Sequence, residues 1–388
     1  MNNLLRIEKI EKIDLNLSIK LQATLINKGE TETVWFEYPT EYSNYVCDEC
    51  IDAFVISVLP FAMRNSLDII SNIPISEKLK YQICNYYIPI LAKYQKSFSK
   101  IELICPTVSV NYEGKAVGTG ISCGVDSYYS VFKHLEVGEQ NFKLTHLVTM
   151  NVGSFGYKGG ESSFNWFMEE TKIAKGVAEK LNLPLIVINS NLMEFYGENH
   201  AYSGTLRMVG AILGLQKLFS KYYISAGFDI SGFDISAEEN DDYDFFNLFI
   251  GSNESLEFFS TGMEATRFER TNYISDFPVT YDTLTVCLSG VNNCGRCEKC
   301  LRTLWSLTAI NKLDLYKKSF DIESFKKKKM INMAKIRYYG KGYMNPLYKE
   351  IFEWLKRKHL FEYWVASILA AVVVSPYKTI KRIFEKND

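Results

Sequence analysis

Hydrophobic and polar residues alternate with a period of two over residues 4–39, in IEKIDLNLSIKLQATLI and again in ETVWFEY. Asn27-Lys28-Gly29 separates the two stretches as a turn signal, so the pattern predicts a small antiparallel unit. The apolar spacing then lengthens to a helical period over about 48–71 and 77–98, the second opened by Ser76 with Glu77 and Lys78 in its first turn. Residues 1–112 therefore read as an N-terminal α+β domain. From about 115 the texture changes. KAVGTGIS, THLVTMNV, LPLIVIN and YYISAGF read as strands, separated by the helical patterns VDSYYSVFKHLE, FNWFMEETKIAKGVAEKL and GTLRMVGAILGLQKLF. Strands separated by helices of this length predict βαβ units and a parallel sheet covered on both faces.

Composition changes this picture in two places. The 388 residues are 47% hydrophobic and 14% aromatic, enough for a large core and incompatible with wholesale disorder. The net charge is only −1, but residues 311–388 carry 18 Lys/Arg against 8 Asp/Glu, a net of +10 on an acidic body. Such a tail suits an anionic partner, nucleic acid or protein, and equally a solvated basic helical face. The N-terminus has no signal-peptide h-region, and the longest apolar run, Tyr363 to Val374, is shorter than a bilayer span. That run reads as a buried helix with no transmembrane segment, or as an interfacial helix followed by Lys378, Lys381 and Arg382. Nine cysteines, four of them clustered, fit a reducing cytoplasm better than a disulfide scaffold. Cys47 and Cys50 form a CxxC with no further ligands nearby, which favours a structural role over metal or redox use.

In an open parallel sheet, ligands bind where strands turn into helices at their carboxyl ends. The first such turn is Ser122-Cys123-Gly124-Val125-Asp126-Ser127. Small residues at a helix N-terminus expose backbone N–H groups and the positive end of the helix dipole, an arrangement that suits pyrophosphate. Asp126 is placed to hold Mg²⁺ or to fix the turn. The segment is neither a Walker loop nor a GxGxxG.

A second cluster, Cys287-x6-Cys294-x2-Cys297-x2-Cys300, has the spacing of a tetrahedral Zn²⁺ site, with Gly295 letting the chain double back. Four thiolates leave no open position, so the metal would be structural. A four-iron cluster uses the same ligand set.

SCGVDS resembles the SGGxDS signature of the PP-loop ATP pyrophosphatases, which cleave ATP between the α and β phosphates and adenylylate a substrate oxygen. Thr149-Met150-Asn151-Val152-Gly153-Ser154 resembles the second-strand segment that flanks the adenine in the 7-cyano-7-deazaguanine synthase branch. Arg267-Phe268-Glu269 resembles the basic-x-Glu element near the phosphates of that branch, whose four-cysteine element is also similar. The resemblance covers about 115–310. It implies a HUP-like three-layer α/β/α fold with a parallel five-stranded sheet. It implies ATP bound over Ser122, Cys123, Gly124, Val125, Asp126 and Ser127, adenine against Thr149, Met150 and Asn151, and catalysis by Asp126, Ser127 and Arg267. Three features depart from the pattern. Cys123 replaces a glycine, and the branch's Pro-Gly-Arg-Asn and Tyr-Pro-Asp-Cys-Arg segments are replaced by GENHAYSGTLRM and by the region around FIGSNESLEFFSTG. Those segments shape the base pocket, so the ATP chemistry carries over and the substrate does not.

The expected organisation is thus an α+β domain (1–112), an ATP-binding domain (113–286), a zinc element (287–310) and a basic helical region (311–388). The expected activity is that of an ATP-dependent ligase, amidotransferase-like, using ATP, Mg²⁺ and structural Zn²⁺ in the cytoplasm, with homo-oligomer formation left open. A substrate carboxylate or amide oxygen would be adenylylated, then attacked by ammonia or an amine. The rivals are an RNA-modifying or peptide-conjugating enzyme of the same superfamily and a non-catalytic nucleotide-binding module. Secondary candidates are His200 in NHAYSG, Arg207 one turn into the next helix, Asp229 and Asp234 after the fourth strand, and Arg270 beside Glu269. Lys326–Lys329 reads as a solvated helix end.

Overall fold

A computed structural model describes residues 3–153, 155, 159–197, 201–287, 289–341 and 346–377. Ser154, His200 and Lys378, Lys381 and Arg382 lie outside the described residues. The chain divides into two compact units, residues 1–122 with 130–263 and residues 123–129 with 264–388.

The first unit is built on a large sheet and a separate strand pair. Its strands are β1 (Leu4–Asp14), β2 (Ser18–Asn27), β3 (Glu30–Pro39), β4 (Asp68–Ser71), β5 (Ile75–Ser76), β6 (Leu103–Ile104), β7 (Thr107–Val108), β8 (Ala116–Gly120), β9 (His146–Met150), β10 (Leu185–Ser190), β11 (Phe219–Ser225) and β12 (Glu257–Thr261). Ten of them form a continuous sheet in the order β12-β11-β8-β9-β10-β3-β2-β1-β4-β6, while β5 and β7 pair separately.

The alternation in residues 4–39 folds as the pattern predicts. β2 buries Ile19, Leu21, Ala23 and Leu25, and β3 buries Val34, Phe36 and Tyr38. Lys28 and Gly29, both at positive φ, make the two-residue turn between Asn27 and Glu30. The expected boundary at 112 is not a break in the sheet, because β3 pairs antiparallel with β10 through Asn189 opposite Glu37 and Ser190 opposite Phe36. A single apolar cluster accordingly runs from Leu5 to Phe258. The helical pattern over 48–71 resolves into the helix Asp52–Arg64 followed by β4. That over 77–98 becomes Glu77–Gln82, a π turn at Ile83–Tyr87, and Ile88–Tyr94.

From β8 onward the strands are mutually parallel, in the order β12-β11-β8-β9-β10. Four of the five residues of β8 are buried, as a strand covered on both faces requires. Chain order moves from β8 through β9 to β10 on one side and then returns to β11 on the other, so the topological switch lies between β8 and β11. Helices Gly160–Leu181, Gly204–Leu213 and Asp244–Gly251 connect these strands. Gly204–Leu213 packs on Asp52–Arg64 at Gly210, where a Cβ would lie 1.9 Å from the Ser57 hydroxyl. The observed class is therefore α/β with a large, mostly parallel sheet, in which β1, β4 and β6 also pair in parallel and only β10-β3-β2-β1 is antiparallel.

The second unit is helical. Arg267–Ile274, Glu298–Ala309, Ile322–Lys327, Lys329–Tyr339, Lys349–Lys358 and Leu360–Leu369 bury Trp305, Tyr316, Phe325, Met333, Ile351 and Leu355 among them.

Candidate anion-binding cluster and metal centre

Within the second unit, the segment Cys123–Tyr129 opens the helix Val125–Leu135, with Asp126 in its first turn. Cys123 sits at φ 55°, in the left-handed region that favours glycine, and is 2% exposed. Its carbonyl accepts the Thr285 N–H at 2.8 Å. The Ser127 hydroxyl donates to the Gly124 carbonyl at 3.1 Å, and the Tyr128 N–H donates to the same carbonyl at 3.0 Å. The thiol is thus buried, and Ser127 serves to hold the turn.

Asp126 is held by two guanidinium groups. Arg267 Nη1 bonds Oδ2, and Arg270 Nη1 bonds Oδ1 at 2.9 Å. Both arginines stand on the helix Arg267–Ile274, one turn apart. Its start is a capping box in which the Thr266 hydroxyl accepts the Glu269 N–H and the Glu269 carboxylate accepts the Thr266 N–H at 2.7 Å. Glu269 therefore caps the helix that aims the two arginines. Arg270, 1% exposed, also donates from Nε to the Ala265 carbonyl at 3.1 Å. A third guanidinium, Arg302, pairs with Glu298 at 2.9 Å along the helix Glu298–Ala309, and Tyr348 donates its hydroxyl to the same carboxylate.

Burial opposes ionisation of Asp126, but Arg267, Arg270 and Arg302 outweigh it and hold its carboxyl below the usual range. The Arg267 pKa is lowered, first by burial and, against the pull of Asp126, by Arg302 and Arg270. Lys299, on the helix Glu298–Ala309, is lowered by desolvation and then by Arg267 and Arg302. Burial is the larger cause for both, and the neighbouring cations add to it. Among the described residues, Asp126 pairs with Arg267 and Arg270, and Glu298 pairs with Arg302. Cationic side chains grouped in this way suit an anion. Mg²⁺ suits it poorly, since both Asp126 oxygens already accept from guanidinium groups and the neighbours are cations.

The four cysteines meet as their spacing predicts. The Sγ atoms of Cys287, Cys294, Cys297 and Cys300 all lie within 4.8 Å of one another. Backbone N–H groups aim at the sulfurs, Ser289 at Cys287 (3.4 Å), Cys297 at Cys294 (3.3 Å) and Cys300 at Cys297 (3.5 Å). Such bonds stabilise thiolates. Gly295 turns at φ 64°, and Cys297 is the N-cap of the helix Glu298–Ala309. The donor set fits Zn²⁺ in a closed structural site. Its position in the chain matters, because the helix it starts carries Lys299 and Arg302.

Apart from Lys326, the remaining predicted residues that the structure describes lie in the first unit. Ser122 is exposed after β8. Thr149 and Asn151 are buried and Met150 half-buried at the end of β9, where the Asn151 amide donates to Asn189 Oδ1 at 2.9 Å. Asn151 Oδ1 is buried with no hydrogen-bond partner. Gly153, at φ 116°, lies under Arg207, and a Cβ there would come 1.9 Å from Arg207 Nη1. Arg207 is buried, 3% exposed, against Tyr196 and Met193, and burial lowers its pKa to about 10. It packs on the β9 turn rather than facing solvent. Asp229 and Asp234 accept the N–H groups of Ser231 and Ser236 two residues on, both at 2.9 Å, and so serve local turns. Lys326 pairs with Asp314 on the surface. None of the nine cysteines is in a disulfide. Cys47 and Cys50 are buried 3.7 Å apart, each sulfur accepting from the Gln216 amide.

Arg302 and Lys299 were not among the residues singled out from the sequence. The available signal was their position in the first turn and a half of the helix that starts at the cysteine cluster. No family model, no curated protein and no solved structure matches the chain.

Proposed function

We propose that the protein is an ATP pyrophosphatase of the PP-loop type that adenylylates a carboxylate or amide oxygen of its substrate and passes the activated group to ammonia or an amine. The observation that carries this reading is the cationic cluster of Arg267, Arg270, Lys299 and Arg302 around Asp126, in the first turn of the helix that follows β8. The β8 strand is also where the strand order reverses, the place at which open α/β sheets take ligands. The resemblance of SCGVDS to the PP-loop signature supplies the choice of nucleotide.

On this reading the backbone N–H groups at the start of the helix Val125–Leu135 bind the phosphates, and the arginines stabilise the charge that grows on departing pyrophosphate. Asp126 keeps Arg267 and Arg270 aligned. It acts as a positioning group, and Mg²⁺ enters bound to the ATP phosphates. A metal held by Cys287, Cys294, Cys297 and Cys300 supplies rigidity, with no open position for substrate. Positioning and electrostatics carry the rate, and no side chain need act as a nucleophile.

The test is pyrophosphate release from ATP, assayed across carboxylate, amide and peptide acceptors with ammonia present. Release that depends on one acceptor, and that falls at least about a hundredfold in Arg267→Ala, is expected. ATP binding without release for every acceptor would instead assign the cluster to a nucleotide-binding module. Transfer to RNA or a peptide would identify the acceptor class.

A further inference from the structure

The helix that runs from Leu360 to Tyr377, with a π turn at Ala370–Val374, is apolar around its whole circumference. One stripe, Tyr363, Ala366, Ala370 and Val374, is buried within the second unit. Arg337 fixes this side, its guanidinium 4.5 Å from the Tyr363 ring centroid and its Nε donating to the Ser367 hydroxyl at 3.1 Å. The opposite stripe is also apolar, and it is open. Phe361 is 79% exposed, Trp364 63%, Ile368 62% and Val372 68%. A soluble helix normally turns a polar face outward, and contiguous exposed apolar residues of this size mark an interaction surface.

Charge identifies what covers it. The only acidic or basic residue between 360 and 377 is Glu362, which is paired with Lys329 at 3.3 Å. Immediately before the stripe stand Lys356, Arg357 and Lys358, all exposed. Immediately after Tyr377 the sequence continues with Lys378, Lys381 and Arg382. An apolar face carrying Phe and Trp, bracketed by cations, matches the boundary between acyl chains and anionic headgroups. By length and composition the helix could cross a membrane, but its buried stripe, 22% of its residues, and Arg337 hold it to its own unit.

We infer that the second unit docks on an anionic lipid surface through Phe361, Trp364, Ile368 and Val372, with Lys356–Lys358 on the headgroups. The full-length protein should co-sediment with vesicles of phosphatidylcholine containing about 30% phosphatidylglycerol, bind pure phosphatidylcholine vesicles at least about fivefold more weakly, and release at high salt. The double variant Trp364→Glu/Ile368→Glu should lose about tenfold or more in binding while its melting temperature and pyrophosphate release stay unchanged, since both side chains are exposed. Trp364→Phe should abolish the blue shift in tryptophan emission on vesicle addition. Three results would overturn the inference. One is equal, negligible binding to both vesicle types. Another is a concentration-dependent dimer that the double variant abolishes, which would assign the face to a second copy of the chain. The third is retention on vesicles through an alkaline carbonate wash, which would mean insertion across the bilayer.

Discussion

Replacing Asp126 with asparagine removes one charge and leaves two guanidinium groups facing a neutral amide. Asp126 bonds Arg270, which is almost wholly buried, and Arg267, while its own side chain is 23% exposed. Breaking a fully buried pair by removing one partner costs about 3–5 kcal/mol. Partial exposure of Asp126 scales that down, so Asp126→Asn should destabilise the second unit by about 2–3 kcal/mol at pH 7. The pH dependence has a definite sign. The carboxyl is held below its ordinary value of about 3.9, so its contribution is present above that pH and disappears as pH falls through the lowered native value. Wild type and variant should therefore differ at pH 7 and converge only as pH falls below the lowered native value. The two units need not unfold together, so hydrogen exchange of peptides from 264–309 is the suitable readout alongside urea denaturation. A gap below about 0.5 kcal/mol at pH 7, or one that persists undiminished at the acid end, would refute the electrostatic account of the cluster.

Other expectations follow from the same geometry. A chelator, or Cys297→Ser, should release one metal ion per chain and deprotect the helix Glu298–Ala309 in hydrogen exchange, with loss of ATP binding because Lys299 and Arg302 ride on that helix; unchanged protection would refute this. Thr266→Ala should cost about 1 kcal/mol through the lost cap, measured by denaturation, and lower the rate of pyrophosphate release by disordering Arg267. At Cys123 the positive φ predicts an order of tolerance, with glycine near neutral and valine destabilising by about 2 kcal/mol or more, as melting temperatures would show.

Strands β8 to β11 and the helices between them were legible because each carries its own apolar pattern, and the cysteine site because its spacing is the ligand geometry. What stayed hidden was non-local. The join of β3 to β10 rests on two residue pairs, Asn189 with Glu37 and Ser190 with Phe36, which leave no trace in either strand's alternation. Glu269 was visible as part of a motif, but its role as a cap depends on where the helix starts. Arg302 is separated from Asp126 by 176 positions, and only the fold brings their charges into mutual influence. The outward face of Leu360–Tyr377 was hidden for the opposite reason, since a helix apolar on all sides reads as core until burial is known.

The most direct test of the central claim is native mass spectrometry of the purified chain with ATP and Mg²⁺, wild type beside Arg267→Ala/Arg270→Ala. The account predicts one tightly held metal in both proteins, and retained ATP, AMP or an adenylylated molecule in the wild type alone. Equal nucleotide retention by the two proteins, or none by either, would contradict the assignment of the cationic cluster to phosphate binding.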